Sequence, residues 1–309
     1  MILTITPNPS LDLLFEAERL VWDDANRIEE PRRRPGGQGI NLSRAARVMG
    51  IPTHALALLG GDTGDEIARV LTAEGMPLTA VRIAATTRTF VGVRELATGR
   101  SLLLNARGPV LSQTEREALI DAVETTCAAV KPDWVACCGS VPRGIGDDVY
   151  AQIGAIAKHC GARFVADCDG DALRAAEPLC DLLAPNRHEA ERLTGRTIDS
   201  VDAAAHAVLE LARRRIAAIT LDADGAVLSD GTSVWLGKPT LPIPGGNTVG
   251  AGDAFLAGLL GGLEASAYLG ALAAAVTAGT AVLHSGGDHM VTLAAIAEVS
   301  KTIEVRQLV

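Results

Sequence analysis

The most informative run of residues in this chain is GGNTVGAGDAF, at positions 245–255, which opens a helical pattern. Glycines at these positions let the backbone approach a ligand closely. The N–H groups of Gly250, Ala251 and Gly252 would point out of a helix N-terminus, where unpaired donors and the helix dipole favour phosphate oxygens. The pattern therefore predicts an anion hole.

Asp253 follows that anion hole directly and would lie in the first turn of the helix. A carboxylate there could accept the proton of an attacking hydroxyl while the hole neutralises the charge that develops on a transferred phosphoryl group. The alternative is an aspartate that serves only as an N-terminal helix cap. The GAGD context favours the catalytic interpretation.

A second glycine cluster, GGQGIN at 36–41, also precedes a helical pattern, which ends at Gly50. Its backbone could lie flat against a sugar, and a plain turn followed by an N-cap at Asn41 explains the same residues equally well. Neither glycine cluster fits the P-loop or the dinucleotide-binding fingerprint. Walker-type ATPases and NAD dehydrogenases are therefore disfavoured.

The segment PNRHE, at 185–189, would lie at a strand-to-helix edge. Asn186 and Glu189 would share a helical face there, and an amide with a carboxylate suits Mg²⁺, bound directly or through its waters. A capping box formed by the same two residues is the competing interpretation. The sequence contains no HExxH, CxxC or zinc-finger spacing that would indicate zinc.

The elements that must position these residues follow an alternating pattern. Amphipathic segments separate short apolar β-type runs: ILTIT, ALALLG, WVACCGS, RFVADCD, LLAPN and AAITLD. This alternation predicts an α/β fold with a doubly wound, mostly parallel sheet flanked by helices. Helix boundaries are indicated by a capping box at Ser112 and Glu115 and by terminal glycines at 50, 161 and 195.

Two segments, about 11–35 and 88–105, break this rhythm and indicate a small β-sheet outside the main layer. Segments inserted after the first and third strands would start at the carboxyl edge of the main sheet. Ligands bind at this edge, so we expect the small sheet to form a lid. A solvated lid surface explains the arginine run at 32–34 at least as well as phosphate binding does. Without a linker signal, we expect a single domain over 1–309.

Composition restricts the possible partners and the location. The formal net charge of -9 disfavours non-specific binding to nucleic acid or to an anionic membrane. The six cysteines have no CxxC spacing and the N-terminus has no signal-peptide pattern, so we expect a cytoplasmic protein with reduced thiols. The stretch 265–287 has no charged residue but is rich in alanine and glycine, which favours a buried helix beside a cofactor pocket over a membrane span.

Five motifs in order, TPNPSLD at 6–12, GGQGIN, CGSVP at 138–142, NRHE and NTVGAGDAF, resemble those of the ribokinase-like (PfkB) carbohydrate kinases along nearly the whole chain. The opening and the TTRTF segment at 86–90 look most like the branch that holds 1-phosphofructokinase, tagatose-6-phosphate kinase and the minor 6-phosphofructokinase. The resemblance implies transfer of the γ-phosphate from Mg-ATP to a sugar hydroxyl. It also implies a homodimer in which two β lids pair.

The resemblance also assigns roles to individual residues, with Asp253 as the base. It places the substrate against Asp12, Gly37, Gln38, Asn41, Ser140 and, for an existing phosphate group, Arg88. It places the nucleotide near Asn186, Thr220, Asp222, Gly225, Gly250 and Gly252, with adenine against the segment 278–287.

Several positions depart from the pattern of that branch. Gln38 stands where the branch often has lysine, Phe90 and Gly92 replace polar residues of a TRxNxK pattern, and Leu103 is apolar. Because lysine and arginine hold phosphate through charge-assisted bonds, their loss leaves open an unphosphorylated sugar or a nucleoside as substrate. Asp222 also adds negative charge to the nucleotide loop. A ketohexose phosphate is the leading interpretation, and a non-catalytic sugar-binding regulator is the remaining alternative.

Overall fold

The computed structural model describes residues 1–242, 249–265, 267–284 and 291–309. Within these ranges the strands are β1 (Ile2–Thr6), β2 (Ser10–Ala17), β3 (Arg32–Gly36), β4 (Thr53–Leu59), β5 (Leu78–Arg82), β6 (Arg88–Glu95), β7 (Ser101–Asn105), β8 (Trp134–Cys138), β9 (Arg163–Asp167), β10 (Leu182–Leu183), β11 (Ile216–Thr220), β12 (Ala226–Ser229), β13 (Val234–Pro239) and β14 (Ile303–Gln307). The helices are α1 (Gln38–Val48), α2 (Gly61–Ala73), α3 (Gln113–Val130), α4 (Val149–His159), α5 (Gly170–Ala176), α6 (Arg187–Thr194), α7 (Val201–Leu211), α8 (Ala251–Ala265), α9 (Tyr268–His284) and α10 (Leu293–Val299).

The larger sheet has ten strands in the order β14-β13-β12-β11-β10-β9-β8-β1-β4-β5. The strands from β11 to β5 in this order run parallel, and each of the six predicted apolar runs forms one of them. Both faces of β1 and β8 are buried, as expected of strands covered by helices on two sides. The predicted doubly wound fold is confirmed, with an added antiparallel edge formed by β12, β13 and β14.

Two helical layers cover this sheet. Helices α1, α8, α9 and α10 pack on one face, and α3, α4, α5 and α7 pack on the other. The far end of α8 is tied to β8, because the Trp134 indole N–H donates to Glu264 Oε1 over 2.8 Å. Asp253 lies at the opposite end of the same helix.

The smaller sheet has four strands in the order β3-β2-β6-β7 and comes from the two segments predicted to form a lid. Strand β2 begins at Ser10, shortly after β1 ends at Thr6, so this sheet leaves from the carboxyl edge of the main sheet. The arginine run lies in β3, where Arg32 and Arg33 pair with surface glutamates. The Arg34 side chain is only 11% exposed and faces Asp12, so the interpretation of the run as a solvated lid surface does not extend to this residue.

The helix boundaries predicted from capping residues and glycines are confirmed. Ser112 and Glu115 form the predicted capping box, and Gly50, Gly161 and Gly195 adopt positive φ at helix ends. Within the uncharged stretch, Tyr268–His284 forms α9, which packs on α8, while residues 266 and 285–287 lie outside the described residues. Over the described ranges, no helix is both long enough and apolar enough to cross a membrane.

Candidate active site

A cleft with a volume of about 520 Å³ lies at the carboxyl ends of the central parallel strands, beneath the smaller sheet. Ligands bind at this edge of doubly wound sheets, where the strand order reverses. Residues from all five motifs line it, among them Thr6, Asn8, Asp12, Gly37, Gln38, Asn41, Arg88, Ser140, Asn186, Glu189, Thr220, Gly250, Gly252 and Asp253. The fold therefore brings together segments that are far apart in the sequence.

Asp253 is buried at the start of α8. Because α8 begins at Ala251, Asp253 lies inside the first turn, and the interpretation as a simple N-cap does not hold. Its Oδ2 accepts a hydrogen bond from Asn41 Nδ2 over 2.9 Å. Asn41 lies within α1, whose N-cap is Gly37, so the alternative of an Asn41 N-cap is also wrong.

The environment of Asp253 favours a proton acceptor. Burial above all, together with the neighbouring Asp167 and Asp12 carboxyls, raises its pKa to about 8, although the Asn41 hydrogen bond and the Arg34 charge oppose the rise. A pKa near the working pH suits a general base, since the group can gain and lose a proton during turnover.

The space before this carboxyl is open. Gly250 has a φ of 86°, which favours glycine, and a Cβ placed on Gly252 would meet no atom within 4 Å. The start of α8 therefore faces the cleft with bare backbone, as an anion hole requires. The preceding part of the motif, residues 245–248, lies outside the described residues.

Asp12 is held from two sides in β2. Ser10 Oγ donates to Asp12 Oδ1 over 2.6 Å, and Arg34 Nε lies 3.7 Å from Oδ2. Burial raises the pKa of Asp12, and these partners oppose the rise. A Cβ on Gly36 of the facing strand would lie 2.1 Å from Oδ1, so glycine is required there.

The GGQGIN and CGSVP motifs meet on one side of the cleft. Gly37 has a φ of 114°, and a Cβ there would lie 2.8 Å from the Thr6 side chain. Gln38 Oε1 would lie 3.3 Å from a Cβ on Gly139. Ser140 Oγ accepts from Asn8 Nδ2 over 2.9 Å, which places a hydroxyl on the same wall.

Arg88 begins β6 at the base of the smaller sheet and reaches the cleft. Its Nη2 donates to the Asn8 carbonyl over 3.0 Å, and its Nη1 donates to Asn105 Oδ1 and, over 3.3 Å, to the Ala106 carbonyl. The guanidinium is thus fixed in place by the protein itself.

Asn186, Glu189 and Thr220 line the opposite end of the cleft. Asn186 Oδ1 accepts from the Glu189 backbone N–H over 3.0 Å and Glu189 Oε2 accepts from the Asn186 N–H over 2.9 Å, so the capping box is present. Burial and the nearby Glu189 raise the pKa of Asp167 to about 7. Oxygen ligands beside crowded carboxylates fit Mg²⁺, which is commonly held by one or two carboxylates together with substrate phosphates.

No group of three or more His, Cys, Asp or Glu side chains that could hold a metal by itself is found among residues 1–242, 249–265, 267–284 and 291–309.

Two predicted nucleotide contacts, Asp222 and Gly225, do not line the cleft. Asp222 has a φ of 53° and a side chain that is 87% exposed, and Arg187 Nε lies 3.9 Å from its Oδ2. Gly225 has a φ of 89°, and a Cβ there would lie 2.1 Å from the Gly237 carbonyl oxygen. The turn that follows Thr220 is therefore folded against β13.

Sequence reasoning missed several residues of the cleft. Asp167 ends the apolar run RFVAD, so an acidic residue at the carboxyl end of a parallel strand was a usable signal. Asn8 and Asn105 lie in loop or strand-end positions without such a signal. Of the segment predicted to meet adenine, Ala278 is buried in α9, and residues 285–287 lie outside the described residues.

A doubly wound sheet, a small second sheet over its carboxyl edge and a buried carboxylate at a glycine-led helix start are the features of ribokinase-like carbohydrate kinases. The chain belongs to the PfkB family, since the family model described as pfkB family carbohydrate kinase matches residues 8–292.

Relatives agree with this assignment. The 1-phosphofructokinase of Rhodobacter capsulatus is 32% identical over 314 residues, which cover 99% of this chain and 98% of that protein. The 1-phosphofructokinase of Bacillus subtilis (strain 168) is 32% identical over 292 residues, which cover 92% of this chain and 93% of that protein. The structure of phosphofructokinase-2 from Escherichia coli in complex with potassium matches with a TM-score of 0.89 at 26% identity, covering 97% of this chain and 98% of that one.

Proposed function

We propose that this carbohydrate kinase transfers the γ-phosphate of ATP to a hydroxyl of a ketohexose phosphate, as a 1-phosphofructokinase or tagatose-6-phosphate kinase does. The observation that carries the proposal is the buried Asp253 carboxyl, which Asn41 holds at the opening of α8 inside the cleft. Two relatives that align with more than nine-tenths of the chain are 1-phosphofructokinases, which supports a sugar phosphate as acceptor.

Asp253 is the general base in this proposal. It takes the proton of the attacking hydroxyl, and the amides of Gly250, Ala251 and Gly252 stabilise the negative charge on the transferred group. Little covalent chemistry remains for the protein, because phosphoryl transfer depends mainly on positioning and charge stabilisation. The open space before Gly252 leaves room for the phosphoryl group.

The substrate lies between the two sheets. Asp12 and Asn41 bind sugar hydroxyls, Gly37 and Gln38 supply close backbone and side-chain contacts, and the Ser140 hydroxyl faces the sugar from the other wall. Their polar atoms face one cleft, which is the arrangement that orients a small polyol.

Arg88 anchors the phosphate that the substrate already carries. The contacts of its guanidinium with Asn8 and Asn105 hold it at the cleft before substrate arrives. Because the Arg88 side chain is already held in place, it loses little conformational entropy when it binds a phosphate.

The nucleotide extends from the anion hole past Asn186 and Thr220, and the turn with Asp222 and Gly225 forms its outer edge because it follows Thr220 directly. Asn186 and Glu189 hold Mg²⁺ directly or through water. When bound, Mg²⁺ neutralises phosphate charge. Because a kinase acts where ATP is present, we also propose a cytoplasmic location.

The smaller sheet serves as a lid and as the contact with a second copy of the chain. Its edge strand β7 exposes the adjacent Leu103 and Leu104, and Trp22, in the loop between β2 and β3, is 75% exposed. A homodimer would cover these apolar side chains. If paired lids are needed for activity, dilution lowers the specific activity as dimers separate. A monomer of full activity in analytical ultracentrifugation would contradict the lid dimer.

A kinase of an unphosphorylated sugar or a nucleoside is the second candidate. Two observations favour it: Phe90 brings an apolar ring to the cleft wall, and the neutral Gln38 occupies the position next to Gly37. Both reduce the positive charge available to a substrate phosphate.

The test is ATP consumption by the purified protein with Mg²⁺ and a panel of acceptors: fructose 1-phosphate, fructose 6-phosphate, tagatose 6-phosphate, free hexoses, ribose and adenosine. We expect turnover with a phosphorylated ketohexose. Turnover with only free sugars or adenosine would establish the second candidate. If no acceptor in the panel supports ATP consumption but calorimetry shows sugar binding, the protein would instead be a sugar-binding regulator.

A further inference from the structure

A second cavity, with a volume of about 590 Å³, lies at the amino edge of the main sheet. Cys180 and Arg215 line it, and each lies within two residues of the start of a parallel strand, β10 or β11. The candidate active site lies at the other end of these strands, where Thr220 ends β11. Because the five residues of β11 span about 17 Å, a molecule in this cavity takes no part in chemistry at Asp253.

Three consecutive arginines, Arg213, Arg214 and Arg215, line this cavity from the turn between α7 and β11. The Arg215 side chain is only 10% exposed, and its Nη1 donates to the Glu177 carbonyl and lies 2.8 Å from Glu177 Oε1. Its Nε is buried without a hydrogen-bond partner in the part of the chain that the structure describes. Because an unpaired buried donor is costly, an anion beside it would offset part of that cost.

The positive charge at this cavity is not balanced. Of the two glutamates that line it, one is paired with Arg215, and the other, Glu210, accepts from Arg196 Nε over 3.0 Å. Arg213 and Arg214 are exposed and form no ion pair with any residue of the described ranges. Two unpaired positive charges therefore line one cavity of a chain whose formal net charge is -9.

The lining of the cavity indicates the class of ligand. Arginine binds phosphate through paired, charge-assisted hydrogen bonds. A phosphate monoester carries a charge of about −1.5 to −2 at pH 7, which matches two unpaired arginines, whereas a carboxylate or a sulfate ester carries a single charge. Leu193, Leu211 and Pro178 also line the cavity and offer apolar surface to an organic group. The volume lies within the range of small-molecule sites.

We propose that this cavity, which we call the arginine pocket, is a second ligand site that binds a small organic phosphate through Arg213 and Arg214. The phosphate group binds the two guanidinium groups, and the organic part packs against the apolar side chains. A long polyanion such as nucleic acid does not fit, because the net negative charge of the chain repels it.

The test uses phenyl phosphate as the probe, because it combines a phosphate monoester with an apolar ring. Its Kd is measured by calorimetry on the purified full-length protein without nucleotide, so the result does not depend on turnover. We expect saturable binding that weakens at least tenfold in the double variant Arg213→Gln/Arg214→Gln. The melting temperature of this variant should equal that of the wild type, because both side chains are exposed and unpaired.

Two controls separate this site from other sources of binding. Arg69→Gln/Arg306→Gln removes the same charge from two exposed positions outside the cavity, and Arg88→Ala removes the proposed phosphate anchor of the cleft. In both controls we expect the Kd at the arginine pocket to stay within about twofold of the wild type. Phenyl sulfate, which has one negative charge fewer, should bind at least tenfold more weakly than phenyl phosphate, and inorganic phosphate, which lacks the ring, should also bind more weakly.

Several results would overturn the proposal. Absence of saturable binding to the wild type would show that the pocket is not a phosphate site. An equal loss in both double variants would reduce the binding to general surface charge, and a loss in Arg88→Ala alone would place the probe in the cleft. Equal affinity for phenyl sulfate would contradict recognition of a dianion. If the double variant fails to fold, Arg213→Gln and Arg214→Gln are measured singly, and an unchanged Kd in both refutes the site.

Discussion

The hydrogen bond from Asn41 to Asp253 should set the pH at which the enzyme works, and Asn41→Ala tests this. The substitution removes the Nδ2 donor that lies 2.9 Å from Asp253 Oδ2 in a buried site. A hydrogen bond to a charged group contributes about 1.5–3 kcal/mol. Since about 1.4 kcal/mol corresponds to one pKa unit, the pKa of Asp253 should rise by about one to two units.

This rise has a definite kinetic effect. With a pKa of about 8, roughly a tenth of Asp253 is ionised at pH 7. In Asn41→Ala the ionised share should fall to about a hundredth or less, so kcat at pH 7 should fall about 10- to 100-fold. The loss should diminish toward higher pH. The assay is kcat with saturating substrates across pH, read from ATP consumption.

Ser43→Ala is the matched control, because Ser43 lies in the same helix and its buried hydroxyl bonds Thr4 and Thr53 rather than the cleft. It should lower the melting temperature and leave the pH profile unchanged. A loss of kcat in Asn41→Ala that is equal at all pH values would refute the reasoning, because the bond would then not control the ionisation of Asp253.

Three further predictions follow from the site. Gly36→Ala should raise KM for the sugar at least tenfold, since a Cβ would lie 2.1 Å from Asp12 Oδ1; an unchanged KM in initial-rate assays would show that Asp12 does not bind the sugar. Arg88→Ala should raise KM far more for a sugar phosphate than for a free sugar, because only the former loses an ion pair; equal effects would refute the anchor. Asp253→Asn should raise the melting temperature relative to the wild type increasingly as pH rises from about 4 to 8, because a carboxyl with a raised pKa contributes stability at low pH that is lost as pH rises through its folded pKa. A pH-independent difference by calorimetry would contradict the raised pKa.

Much of the fold could be predicted because its signals are local. Short apolar runs such as RFVAD, separated by amphipathic segments, specify parallel strands covered by helices. The capping box at Ser112 and the positive φ of Gly195 depend only on neighbouring residues. The two segments that break the rhythm could be recognised for the same reason.

The features that the sequence did not reveal depend on contacts between residues that are far apart in the chain. Strand β14 joins the sheet only by pairing with β13, which a single apolar pattern does not reveal. For the arginine run, the sequence left a solvated surface and phosphate binding both open, because the register that sets Arg34 opposite Asp12 is not visible in the sequence. Similarly, Asn41 and Asp253 were each identified, yet the bond between residues 212 positions apart required the fold.

The central claim is that Asp253 is the base of a phosphotransferase, and Asp253→Asn tests it most directly. Turnover of ATP with the best acceptor and the Kd of both substrates are measured on the same preparation. We predict that kcat falls at least 10²-fold, as expected for loss of a general base, while both Kd values stay within a few-fold of the wild type. Near-normal turnover in this variant would contradict the account.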